Sequence, residues 1–140
     1  MSAVVVDCAI AIKWFVPEEL SAEAEGLLDG TRDLLAPDLL FAELGNVLWK
    51  KVSRQELTTA EARAVLSGIS RVPLAVTPSR DLTEAALEIA LAHGRTVYDA
   101  IYVALAVARD CALVTADERL VRALGGGPLA RHVKSLAELQ

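Results

Sequence analysis

The chain has 140 residues, of which 54% are hydrophobic, 24% charged and 4% aromatic, with a net charge of −5. That composition excludes a disordered chain and argues against a broad basic surface for nucleic acid. It suits a single domain over residues 1–140 with an aliphatic core.

Ala3-Val4-Val5-Val6 is rich in β-branched residues and does not alternate, as expected of a strand buried on both faces of a parallel sheet. It stops at Asp7, which suits the N-cap of a helix from Cys8 to about Val16, closed by Pro17. Pro17-Glu18-Glu19 puts acids in the first turn of a second helix running to Gly30. Leu34-Leu35-Ala36 reads as a second strand, and Pro37-Asp38 begins a long helix through Ser53. On its wheel Glu43, Asn46, Lys50 and Arg54 form one polar stripe, which is also what an ordinary solvated face shows. Thr58 and Glu61 make a capping box for a helix ending near Ile69. Leu74-Ala75-Val76 is a third strand. Asp81 and Glu84 cap a helix that Gly94 ends, with His93 complementing the dipole of its last turn.

Thr96 to Ala108 reads as a helix with no polar face, which implies burial on most sides. Yet Asp99 stands in its first turn. Thr96 and Asp99 have the spacing of a capping box, with Asp in place of the usual Glu or Gln. A buried carboxylate without such a role needs a partner or a cation. Ala112-Leu113-Val114-Thr115 is a fourth strand, followed by Ala116-Asp117 and a short helix, Glu118 to Leu124, that Asp117 caps. Gly125-Gly126-Gly127-Pro128 follows no strand, so it is not a phosphate-binding loop. His132-Val133-Lys134 reads as a last edge strand, with Ser135 and Glu138 capping a terminal turn.

Cys8 and Cys111 form no CxxC pair and suggest buried thiols in a reducing compartment. Met1-Ser2-Ala3 lacks a basic n-region, and no uncharged run approaches the ~20 residues of a membrane span. The expectation is a cytoplasmic protein.

Strands alternating with helices imply parallel βαβ units, an α/β fold. Ligands of open α/β sheets gather at the carboxyl ends of the strands. Asp7 and Asp117 fall at such ends, Asp99 opens the helix leading into the fourth strand, and Glu43 lies about two turns into another helix. Four carboxylates brought together would raise one another's pKa; a hard divalent cation removes that penalty. Oxygen-only ligands select Mg²⁺ or Mn²⁺ over zinc, and such an ion suits phosphodiester hydrolysis. Lys13, Lys50 and Arg54 are candidate phosphate contacts, with plain surface solvation as the rival reading.

Val4-Val5-Val6-Asp7, Glu43-Leu44-Gly45-Asn46, Tyr98-Asp99-Ala100-Ile101-Tyr102 and Leu113-Val114-Thr115-Ala116-Asp117-Glu118-Arg119-Leu120 resemble the PIN-domain ribonucleases, in particular the VapC-type toxins of toxin–antitoxin modules. The resemblance implies a five-stranded parallel sheet flanked by helices and Mg²⁺- or Mn²⁺-dependent cleavage of RNA. Under it Asp7, Asp99 and Asp117 match the metal-binding acids, and Glu43 an acid that binds directly or through water. Asn46 and Thr115 match polar neighbours that orient ligands or water. It also implies a homodimer and a small antitoxin partner that fills the cleft and binds DNA. Cys8-Ala9 stands where many members carry Ser or Thr, so a supporting hydroxyl is absent there. A phospho-receiver-like domain is the main non-enzymatic rival. It needs adjacent acids at the first strand end and a Lys after a late strand, and Asp7-Cys8 and Thr115-Ala116 supply neither. Two more rivals keep the PIN fold and change its role: an idle domain acting as an interaction module, and a nuclease of RNA maturation.

Overall fold

A computed structural model describes residues 2–139. Five strands form one sheet: β1 (Ser2–Val6), β2 (Arg32–Pro37), β3 (Leu74–Thr77), β4 (Ala112–Thr115) and β5 (Val133–Ser135). Their spatial order is β3-β2-β1-β4-β5, and every adjacent pair is parallel. Parallel strands need crossovers, supplied by α1 (Cys8–Lys13), α2 (Ser21–Gly26), α3 (Leu39–Ser53), α4 (Thr59–Ile69), α5 (Thr83–His93), α6 (Val97–Ala108) and α7 (Glu118–Leu124). The central strands are apolar without alternation because both faces are covered; Val5, Val6, Leu113 and Val114 are fully buried.

Helix α6 is the internal helix that its sequence implies. Ala100 through Ala106 are all buried, and the helix packs on α5, β1, β2 and β4. Register then fixes the site. Val6 pairs with Val114, so the next residues along, Asp7 and Thr115, stand side by side at the carboxyl rim.

Several local expectations are corrected. The first helix ends at Lys13 rather than Val16, because Trp14 turns inward and its Nε1 donates to the Ala24 carbonyl at 2.8 Å. The second helix covers Ser21–Gly26, not Pro17 to Gly30. Its entry is a turn in which the Ser21 hydroxyl accepts the Glu18 amide and Leu20 is left-handed, φ 65°. Glu18 therefore leaves the helix dipole and pairs with Lys13 and Lys51. Asp38 does not cap its own helix. Its carboxylate accepts the Ser79 amide while the Ser79 hydroxyl accepts the Leu39 amide, so two chain segments cap one another. Asp81 lies in a 3-10 turn, and α5 starts without a side-chain cap. His132 belongs to a 3-10 turn before β5. The Thr58–Glu61 capping box forms in full, and Gly94 closes α5 at φ 65°. Among the described residues, no helix is long and apolar enough to cross a membrane.

Candidate active site at the carboxyl rim of the sheet

Asp7, Glu43, Asp99 and Asp117 all line one cavity of about 180 Å³, with Cys8, Ala9, Tyr102, Leu113 and Leu120 completing its wall. Each acid arrives by a different local device. Asp7 ends β1 and caps α1, its Oδ1 accepting from the Ile10 amide at 3.0 Å. Asp117 follows β4 and caps α7 through the Arg119 and Leu120 amides. Asp99 occupies the first turn of α6, where the Thr96 hydroxyl accepts its amide at 3.1 Å. Glu43 is half-buried on the second turn of α3. The capping roles suggested by the sequence are thus real for Asp7 and Asp117, and they hold the same side chains at the cavity. For Asp99 only half of the box forms: its carboxylate pairs instead with Arg95, Oδ2 to Nη2 3.1 Å.

Thr115 ties two of the acids together. Fully buried, its hydroxyl donates to Asp7 Oδ2 at 2.6 Å and accepts from the Asp117 amide at 3.0 Å. Glu43 accepts from the Tyr102 hydroxyl at 2.5 Å. Burial is the main force on Asp7, raising its pKa from 3.8 to about 6; the Thr115 and Ile10 hydrogen bonds oppose the rise, and the Glu43 and Asp117 charges add to it. Glu43 is likewise raised by burial, against the Tyr102 hydrogen bond. Cys8 is pushed up to about 12, chiefly by burial, so it stands in the cavity wall as a neutral thiol.

The donor set suits a hard cation: four carboxylates and no imidazole. Among the described residues, however, no three His, Cys, Asp or Glu side chains are close enough to ligate one ion as they stand. Each carboxylate is held by its own protein partner, so closure on an ion requires side-chain movement toward it.

The remaining sequence candidates fall outside this cavity. Asn46 is exposed and lines an adjoining shallow apolar pocket with Leu39, Val47 and Tyr98. Lys13 is held by Glu18 at 3.4 Å and its side chain is 11% exposed. Lys50 and Arg54 are exposed along α3, about 10 and 16 Å of helix rise beyond Glu43. Sequence reasoning missed Tyr102 and Arg95 as neighbours of the acids. Both stand at helical spacing from Asp99, three residues after and four before, and that periodicity is the signal that could have found them. A larger cavity, about 560 Å³, lies at the opposite rim of the sheet; it contains none of these acids, and Arg131 there is paired with Asp110.

Fold and cavity together define a class: open, parallel α/β domains that collect carboxylates where their strands end. The PIN domain family matches residues 4–125, and the chain belongs to it. It is similar to Ribonuclease VapC3 of Pyrobaculum aerophilum, 37% identical over 118 residues, which is 83% of this chain and 90% of that protein. It is also similar to Ribonuclease VapC1 of Mycobacterium tuberculosis, 41% identical over 95 residues, 64% of this chain and 67% of the relative. In fold it resembles the crystal structure of VapBC2 from Rickettsia felis bound to a DNA fragment from their promoter. That likeness has a TM-score of 0.64 at 14% identity and covers 95% of this chain and 98% of that one.

Proposed function

We propose that this chain is a Mg²⁺- or Mn²⁺-dependent endoribonuclease that acts as the toxin of a toxin–antitoxin module. The observation that carries the reading is the convergence of four carboxylates from four separate segments on one cavity, in a chain whose well-covered relatives are named ribonucleases. Asp7, Asp99 and Asp117 would hold the ion, with Glu43 binding directly or through water. When bound, such an ion activates water and neutralises charge on the scissile phosphate. The chain's own residues do the positioning. Thr115 locks Asp7 to the Asp117 backbone, and the amides of α7 hold Asp117. Lys50 and Arg54 are the candidate RNA phosphate contacts, reached along the face of α3 that carries Glu43. Lys13, already paired with Glu18, is the weaker candidate, and Asn46 orients water or RNA at the edge of the cavity.

The proposed partners are an antitoxin, as in the VapBC complex that this fold resembles, and a second copy of the chain. Exposed Phe41 and Trp49 on α3 and Leu87 and Leu91 on α5 supply apolar surface of the kind that associations use. A cytoplasmic location fits that role.

The test uses the purified chain, total cellular RNA and Mn²⁺. Cleavage is expected with Mn²⁺, none with EDTA, and none by the Asp99→Asn variant. The partly exposed Arg95–Asp99 pair lost in that variant contributes about 0.5 kcal/mol, so its melting temperature should stay close to wild type. Wild-type cleavage rates in Asp99→Asn would overturn the reading.

A further inference from the structure

Tyr102 has two claims on the chain. The residue is 4% exposed and its ring belongs to the core, a role that Phe would fill equally well. Its hydroxyl does something that Phe cannot: it reaches from α6 across to α3 and donates to Glu43 Oε1, 59 residues away in sequence. Among the described residues this is the one side-chain hydrogen bond joining these two helices.

The bond falls on the acid most in need of it. Asp7, Asp99 and Asp117 each sit at a helix N-terminus, where backbone amides restrain the Asp7 and Asp117 carboxylates and the Arg95 guanidinium restrains that of Asp99. Glu43 stands inside a helix, has a longer and more flexible side chain, and makes no other side-chain hydrogen bond among the described residues. The short contact engages Oε1 and leaves Oε2 for whatever the cavity holds. The phenol itself stays neutral, since burial and the Glu43 carboxylate both resist its ionisation.

We propose that Tyr102 is a positioning residue that fixes the Glu43 carboxylate toward the cavity, so that α6 places two of the four acids: Asp99 by its own backbone and Glu43 by the Tyr102 hydroxyl. The inference rests on the reading of this cavity as a divalent-cation site. Tyr102 touches neither ion nor RNA in this role; it acts through Glu43.

The test is Mn²⁺ affinity, measured by calorimetry on the full chain without RNA, for wild type, Tyr102→Phe, Glu43→Gln and the double variant, each with its melting curve. Groups that orient metal ligands typically change affinity by roughly 10–100-fold when removed, so Tyr102→Phe should bind Mn²⁺ roughly tenfold more weakly. In the Glu43→Gln background the same substitution should change little, because the carboxylate that Tyr102 positions is gone. A purely structural role would lower the melting temperature and leave affinity unmoved. Unchanged affinity in Tyr102→Phe, or penalties that multiply in the double variant, would overturn the proposal while wild-type binding leaves the cation site standing. Absence of Mn²⁺ binding by wild type would overturn the cation site, and this proposal with it.

Discussion

Replacing Asp7 by Asn should stabilise the metal-free protein while removing its response to Mn²⁺. Burial moves the Asp7 carboxyl from 3.8 to about 6, so holding it ionised at about pH 8 costs the fold about 3 kcal/mol. The sign follows from proton uptake. Between these two values the folded state binds more protons than the unfolded one, so wild-type stability falls as pH rises through about 6. Asn removes that cost. It keeps an oxygen for the Ile10 amide, but its amide nitrogen cannot accept from the Thr115 hydroxyl, a loss of about 1 kcal/mol. The net gain is about 2 kcal/mol at pH 8, roughly 5–10 °C in melting temperature for a domain of this size, and it shrinks to nearly nothing at about pH 4.5. Urea denaturation in EDTA at constant ionic strength, across that pH range, measures it. Mn²⁺ at about 100 times its dissociation constant should then add about 2.7 kcal/mol to wild type and little to Asp7→Asn. A variant no more stable than wild type at the alkaline end, or a gain that does not change with pH, would refute the electrostatic reasoning.

Arg95→Gln should bind Mn²⁺ several-fold more tightly in calorimetry, because the guanidinium 3.1 Å from Asp99 repels an incoming cation. The cost in folding should be small, since the Arg95 Nε is buried without a partner among the described residues and its loss offsets that of the ion pair. Weaker binding would instead make Arg95 a support for Asp99. Gly68→Ala should lower the melting temperature without altering Mn²⁺ affinity. A Cβ there overlaps the Phe15 ring, an overpacking of about 1–3 kcal/mol against the ~1 kcal/mol that Ala gains over Gly in a helix, and α4 lines none of the acidic cavity.

The central strands were legible because burial on both faces leaves unmixed apolar runs, and a parallel sheet then follows from the intervening helices. Asp7 and Asp117 were legible for the same reason, since a charge one or two residues after such a run marks the strand's end. The segment from Trp14 to Leu20 was not. Its geometry depends on a tryptophan bonding a carbonyl ten residues ahead and on Glu18 meeting a lysine from α3. Asp38 and Ser79 exchange caps across 41 residues of sequence, which local propensity cannot anticipate. Tyr102 was hidden by its own hydrophobicity: a tyrosine in an apolar helix reads as core, and only the tertiary position of Glu43 gives its hydroxyl a purpose.

Four acids on one cavity would be expected to burden the fold, and the arrangement shows how the burden is kept tolerable. Two carboxylates cap helices, one meets an arginine and one a phenol, so no ionised group is left to its like-charged neighbours alone. The residual strain is visible at Asp7, which feels the charges of both Glu43 and Asp117 and whose carboxyl is raised to about 6, chiefly by burial. A cation that draws the carboxylates together would relieve it there first. On the proposed reading, stability lost at neutral pH and affinity for a hard ion are two sides of one placement, and a substitution that improves the first at Asp7 should damage the second.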